Sequence, residues 1–264
     1  MKILVTVKEV AEVDDEFQIS GLDIAEGSLE YDLNEWDDYA VEEAVQISEE
    51  NDDVEVVTVT IGPERAEETI RMALAKGADR ALRVWDDSLE NAQFLDVESK
   101  ADILAAVVEE EDPDFILTGV QAGDDANGAT GVALADRIGF EWAAVVNDLD
   151  LDIEGGVASV HRELEGGIEE LTDVELPSVL TIQTGINEPR YASLRGIRQA
   201  QRKPLDVHTL EDLGLDDSVV ESPVERTSMY EPESEGDATL WEGSPEDTAN
   251  ELAGFLRDKG VVEG

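Results

Sequence analysis

The chemistry this chain could perform is concentrated in Phe115 to Gly131, FILTGVQAGDDANGATG. Phe115-Ile116-Leu117 is a short apolar run that reads as a buried strand. Gly119 and Gly123 punctuate a loop behind it, and Ala126 to Arg137 carries small residues with an apolar face at helical spacing, Val132, Ala135 and Ile138. Strand, glycine-containing turn and helix start together make an anion site. The first N–H groups of a helix lack internal partners and carry the positive end of its dipole, so a phosphate can sit there without a lysine. The spacing is neither G-x-G-x-x-G nor G-x-x-x-x-G-K-[ST]. On residues alone, a tight capped turn between strand and helix is the commoner outcome. Asp124 and Asp125 should repel a phosphate. A nucleotide would then be held by backbone N–H groups and by Thr130 or Asn127, with the two carboxylates facing ribose, solvent or a helix N-terminus.

Composition narrows the classes. The 264 residues suffice for one large α/β domain or a domain plus an extension. Lys+Arg is 18 and Asp+Glu is 66, so the formal charge is 18 − 66 = −48, yet 41% of residues are hydrophobic. The acidity is therefore spread over a folded surface. Such a chain repels itself at low ionic strength. At molar salt, where the Debye length is ~3 Å, that repulsion is screened. This is the haloarchaeal pattern, fitted to a salt-rich cytoplasm, and it argues against nucleic-acid binding, which needs a cationic patch. Cysteine is absent, which excludes disulfides, thiolate catalysis and Fe–S ligation by this chain. His161 and His208 are the only histidines, so there is no His-rich metal motif, and acidic oxygen sites for cations stay open although no EF-hand spacing is present. The start, MKILVTVKEV, reads directly as a strand with no signal peptide. No run of ~20 apolar residues could span a membrane. The expectation is a cytoplasmic protein.

The elements that would position the loop alternate regularly. Lys2 to Lys8 is a strand whose end points to the face where open α/β sheets bind ligands. Phe17, Ile19 and Leu29 suggest a hairpin insert around Gly21 and Gly27. Asn34 to Glu50 is a helix, with Asn34 placed as N-cap and Trp36, Ala40, Val41, Ala44, Val45 and Ile47 as its stripe. A strand at Val54 to Thr60, a helix at Glu64 to Lys76, a strand at Arg80 to Trp85 and a helix at Asp96 to Glu111 follow. This alternation predicts an α/β fold, a mostly parallel nucleotide-binding sheet covered by helices. Ala143 to Leu151, Val157 to Leu164 and Ile168 to Val174 are separated by Gly155-Gly156 and Gly166-Gly167, which predicts a small antiparallel section. Pro177 to Thr184 is a further apolar strand.

Gly185 to Pro204 holds five of the 18 basic residues: Arg190, Arg195, Arg198, Arg202 and Lys203. They read either as pairing with the protein's own carboxylates or as a contact surface for a partner, with Leu194 as an apolar anchor. Residues 1–210 are expected to form the α/β domain, and 211–264 a C-terminal arm and helix that dock on a partner subunit, packing of the helix back on its own domain being the alternative. The arm proper is Asp216 to Gly243, with Tyr230 and Trp241 as docking residues. Ser244 caps the final helix, which runs to Lys259 with Pro245 at its first position.

Laid out this way, the chain resembles the β subunit of electron transfer flavoprotein over nearly its whole length. The resemblance rests on VKEV near the start, AVEEAV at Ala40 to Val45, TIRMALAKGADR at Thr69 to Arg80 and LTGVQAGDD at Leu117 to Asp125. It is strongest in RELEGGIEEL, LPSVLT and NEPRYASL between Arg162 and Leu194. It implies a heterodimer whose α subunit holds the electron-carrying FAD, while the β subunit binds AMP with no redox role. Electrons would pass from dehydrogenases to a quinone oxidoreductase, and this chain would be a carrier subunit rather than an enzyme. By motif, the AMP would lie against Thr6, Asn34, Glu35, Trp36, Asp37 and Ile61. It would also lie along Gly119, Val120, Gln121, Ala122, Gly123, Asp124, Asp125, Ala126, Asn127, Gly128, Ala129 and Thr130. The family's recognition loop maps to residues 190–199, with Arg190, Tyr191, Leu194 and Arg195. Arg162 and Glu163 match a pair near the subunit contact. The family pattern often has Asn-Pro where Asn34-Glu35 stands, and its loop commonly reads D-D-D-x-N-Q-T-G where this chain has DDANGATG. A bifurcating branch places FAD in the β-subunit site, with a loop reading D-G-D-T-A-Q-V-G-P, from which this chain is further removed. A stand-alone nucleotide-binding protein of the universal-stress type has a similar core but no need of the arm, basic loop or final helix.

Overall fold

Strand–helix alternation builds a doubly wound sheet. The computed structural model describes residues 1–231 and 239–262. They fall into two units, Met1–Met229 and Tyr230–Gly264. In the first, β1 (Lys2–Thr6) is followed by an insert of β2 (Glu9–Val13), β3 (Ile19–Ser20), β4 (Asp23–Ile24) and β5 (Leu29–Leu33). Then come α1 (Glu35–Glu50), β6 (Glu55–Ile61), α2 (Glu67–Lys76), β7 (Arg80–Val84), the short α3 (Asp87–Asn91), α4 (Val97–Glu111), β8 (Phe115–Gly119) and α5 (Thr130–Ile138). The chain continues through β9 (Glu141–Asp152), β10 (Val157–Leu164), β11 (Ile168–Glu175), β12 (Ser178–Ile182), α6 (Leu194–Ala200) and β13 (Leu205–His208).

Among the described residues the main sheet has nine strands in the order β11-β10-β9-β12-β8-β1-β6-β7-β13. From β9 to β13 all neighbours are parallel, and β10 and β11 add the antiparallel section at one edge. Side chains alternate across the strands, so each face has its own core. Ile3, Val5, Phe115 and Leu117 meet Ala40, Val41, Ala44 and Val45 of α1 and Ile70 and Leu74 of α2. Leu4, Val57, Val59 and Ile116 meet Ile103, Leu104 and Val107 of α4 and Leu134 of α5. The parallel strands are buried on both sides, which is why they read as continuous apolar runs.

Topology places the ligand crevice. β1 leads through α1 to β6 on one side, while β8 pairs with β1 on the other. The winding direction reverses between β1 and β8, so their carboxyl ends, Thr6 and Gly119, flank the switch point where such sheets bind ligands.

Several elements depart from the sequence reading. The first strand ends at Thr6, and Glu9–Val13 turns away to pair antiparallel with Leu29–Leu33. The hairpin around Gly21 is confined to Ile19–Ser20 and Asp23–Ile24. The helix expected from Ala126 begins only at Thr130, because Ala126 (φ 50°) and Gly128 (φ 59°) are left-handed. The strand expected at Pro177 to Thr184 is inserted between β8 and β9 as a fully buried parallel strand. Asn34 stands before α1, but its side chain does not cap it. Residues 211–229, expected in the arm, belong to the first unit, where Leu213, Leu215, Val219 and Val220 pack on the second core.

In the second unit, α7 (Pro245–Asp258) begins as expected, with the Ser244 hydroxyl accepting the N–H of Asp247. Trp241, expected to dock on a partner, meets the Phe255 ring of α7 edge-on with centroids 5.5 Å apart. Residues 232–238 of the expected arm lie outside the described residues. Among the described residues no helix is long and apolar enough to cross a membrane.

Candidate functional site

The crevice at the switch point opens into a cleft of about 1770 Å³. Thr6 lines it from the end of β1, Ile61 from the end of β6, and Asn34, Glu35, Trp36 and Asp37 from the start of α1. Gly119, Val120, Gln121, Ala122, Gly123, Asp124 and Asp125 line it from the loop after β8, and Gly128, Ala129 and Thr130 from the entry to α5. The sequence-derived set thus converges from five places in the chain. Ala126 and Asn127 do not line the cleft, and both are exposed.

Asp37 of α1 and Asn34 just before it hold the loop in place. Asp37 is buried, and its carboxylate accepts the N–H of Lys8 on Oδ2 (2.8 Å) and the N–H of Gly119 on Oδ1 (3.0 Å). One side chain therefore ties together the chain leaving β1 and the chain leaving β8. Burial pushes the Asp37 pKa up, and the N–H bonds from Lys8 and Gly119 pull it back only to about 7. Asn34 donates from Nδ2 to the carbonyl of Gln121 (2.9 Å) and accepts on Oδ1 from the N–H of Gly123 (3.2 Å). Its amide is used on the loop, which is why it leaves the helix uncapped.

The close approach explains two glycines. A Cβ on Gly119 would stand 2.5 Å from Asp37 Oδ1 and 2.7 Å from the Trp36 Cβ. A Cβ on Gly131 would collide with Thr118 Oγ1 and Thr181. Gly131 therefore lets the first turn of α5 lie directly on β8 and β12. No side chain caps α5 at Ala129, so its leading N–H groups remain available to an anion.

The carboxylates of Asp124 and Asp125 are met by two lysines. Lys8 Nζ lies 2.5 Å from Asp124 Oδ1 and 3.0 Å from Asp125 Oδ2, and Lys100 Nζ of α4 lies 2.8 Å from Asp125 Oδ2. Asp125 also accepts the N–H of Asn127 at 3.1 Å. Burial raises the Asp125 pKa, but Lys100, the Asn127 N–H and Lys8 outweigh it and bring it to about 2. Lys8 and Lys100 were missed by sequence reasoning, although Lys8 stands within the VKEV motif. Arg65 was also missed. It lies over the Tyr31 ring at 4.0 Å, pairs with Glu9 at 2.9 Å, and lines the outer cleft.

The basic segment around α6 divides into two kinds of residue. Arg190 is tied to α1, its guanidinium bonding Glu42 (2.8 Å) and Glu49 (2.6 Å). Asn187 donates to Glu43 and to the carbonyl of Tyr39. Lys203 donates to the carbonyls of Leu74 and Gly77 near the end of α2. Arg190 fits the reading of a cation paired with the protein's own carboxylates, while Lys203 is held by backbone carbonyls at a helix end. Tyr191 (98% exposed) and Leu194 (77%) project into solvent beside exposed Arg195, Ile197 and Arg198. Arg162 and Glu163 are elsewhere, on β10, with Arg162 at 3.6 Å from Glu170 of the neighbouring strand.

The class is an α/β protein with a doubly wound sheet, and a glycine loop and an open helix start stand at the switch point where sheets of this kind bind ligands. Residues 21–213 match the electron transfer flavoprotein domain. The chain is 45% identical to an electron transfer flavoprotein subunit beta of Methylophilus methylotrophus, covering 98% of each chain. It is 32% identical to that of Bacillus subtilis, over 99% of this chain and 100% of the relative. With the mitochondrial subunit beta of Arabidopsis thaliana the identity is 36%, over 88% of this chain and 90% of the relative. The chain belongs to the electron transfer flavoprotein beta-subunit family.

Proposed function

We propose that this chain is the beta subunit of a heterodimeric electron transfer flavoprotein, an electron carrier without catalysis of its own, with AMP bound in the β1/β8 crevice. The observation that carries the reading is the end-to-end family match combined with a glycine loop and an uncapped helix at the switch point. The phosphate would take the open N–H groups at Ala129 to Gly131. The strand ends and the start of α1 would enclose the nucleoside. The electron-carrying FAD supplies the redox chemistry and is held mainly by an alpha subunit. Dehydrogenases and a quinone oxidoreductase are the donor and acceptor in this reading, in a salt-rich cytoplasm. Exposed Tyr191, Leu194 and Arg195 would face the donor, presented by the Arg190 anchor. Arg162 and Glu163 would lie toward the alpha subunit, as would the second unit with α7.

A second reading, FAD in this cleft as part of a bifurcating complex, is favoured by the cleft's size. About 1770 Å³ exceeds the ~300–1,000 Å³ of most small-ligand sites. The DDANGATG loop supports AMP. The partner part of the proposal is tested by co-expressing both subunits and purifying from molar salt. A stoichiometric heterodimer whose flavin is reduced by a dehydrogenase is expected. Substrate turnover by this chain alone would refute the carrier assignment.

A further inference from the structure

A glycine loop that is to receive a phosphate should not carry net negative charge, yet this one presents Asp124 and Asp125 in a chain of charge −48. The structure offers a resolution. Two of the 18 cations are set against this pair of acids. Lys8 comes from the end of β1 and Lys100 from α4, so both are delivered by the scaffold rather than by the loop. The side chains are half-buried, at 32% and 17% exposure for the lysines and 26% and 25% for the aspartates. That degree of burial makes the pairing less sensitive to salt than a surface pair. Two aspartates and two lysines sum to zero, and the low Asp125 pKa is the expected companion of that pairing.

We propose that Lys8 and Lys100 are positioning residues that neutralise Asp124 and Asp125, and so make the loop permissive for an anionic nucleotide. This rests on the nucleotide reading of the cleft. The lysines act through the aspartates: they cancel repulsion at the phosphate place while the backbone N–H groups bind. Removing Lys100 leaves one uncompensated carboxylate beside the phosphate place. A repulsion of that kind, partly screened, weakens an anion on the order of tenfold. A neutral ligand is unaffected.

The test compares AMP with adenosine on the full-length chain by calorimetry, in moderate salt. Lys100→Met should weaken AMP about tenfold and leave adenosine unchanged. Adding Asp125→Asn to Lys100→Met should restore AMP, because the charge to be cancelled is gone while Asn Oδ1 still accepts the Asn127 N–H. Lys100→Arg should bind as the parent does, and matched unfolding midpoints check that the variants are folded. Equal loss of AMP and adenosine would overturn the proposal, reducing the lysines to tethers of the loop. Loss of AMP that Asp125→Asn fails to restore would also overturn it and make Lys100 a direct phosphate ligand. If the parent chain binds neither ligand, the nucleotide reading itself falls, and this proposal with it.

Discussion

Asp37→Asn probes the tie on which the crevice is built. The wild-type carboxyl accepts two backbone N–H groups, from Lys8 at 2.8 Å and Gly119 at 3.0 Å, and when protonated it still offers a lone pair on each oxygen. An asparagine of the same shape has one acceptor oxygen, so its NH₂ must face the other N–H. A buried N–H left without a partner costs about 1–3 kcal/mol. The effect depends on pH in a known direction. The folded-state pKa of Asp37 is raised from 3.8 to about 7. Its stabilising contribution is therefore complete below pH 3.8 and declines as pH rises to about 7. The full span of that decline is roughly 4 kcal/mol. Asparagine does not titrate. The variant should therefore be less stable than the parent by about 1–3 kcal/mol at pH 4–5, and the gap should close or reverse by pH 8. Urea unfolding of both proteins in 2 M KCl at fixed pH values reads this directly, because the titrations of the other acids cancel in the difference. A gap that is absent at pH 5, or that widens toward pH 8, would refute the reasoning.

Gly119→Ala forces a Cβ to within 2.5 Å of Asp37 Oδ1 and should destabilise the fold by about 1–3 kcal/mol while weakening nucleotide binding, as unfolding and calorimetry on the same sample would show. Leu194→Ala removes an exposed apolar contact and should weaken docking of a donor dehydrogenase about tenfold with nucleotide affinity unchanged, measured by flavin reduction against donor concentration. Diluting salt from 2 M to 0.1 M lengthens the Debye length from ~2 to ~10 Å, so a chain of charge −48 should lose thermal stability steadily on dilution. A midpoint that does not depend on KCl would contradict the view that the acidity is matched to high salt.

Much of the sheet was legible because its parallel strands are buried on both faces and leave plain apolar runs, as at Phe115-Ile116-Leu117. The helices were legible from their stripes, α1 above all. The segments lining the cleft were legible because strand ends and helix starts follow from alternation, and the resemblance supplied the individual positions. The missed features depend on long-range partners. Lys8 and Asp125 are 117 positions apart, and nothing local in either segment announces their contact. Asn34 looked like a cap because its neighbours are helical, but a tertiary acceptor and donor in the glycine loop claimed its amide. The start of α5 was placed too early because small residues are compatible with helix, and only the backbone reveals the left-handed Ala126. The basic segment carries two meanings in the sequence because only tertiary contacts separate inward-facing Arg190 from outward-facing Tyr191 and Leu194.

The most direct test of the central claim is the nucleotide content of the heterodimer purified from molar salt, released by acid and counted by mass spectrometry against protein. One AMP and one FAD per heterodimer is the predicted result. Two FAD and no AMP would contradict it, turning the cleft between β1 and β8 from a nucleotide site without redox function into a second flavin site.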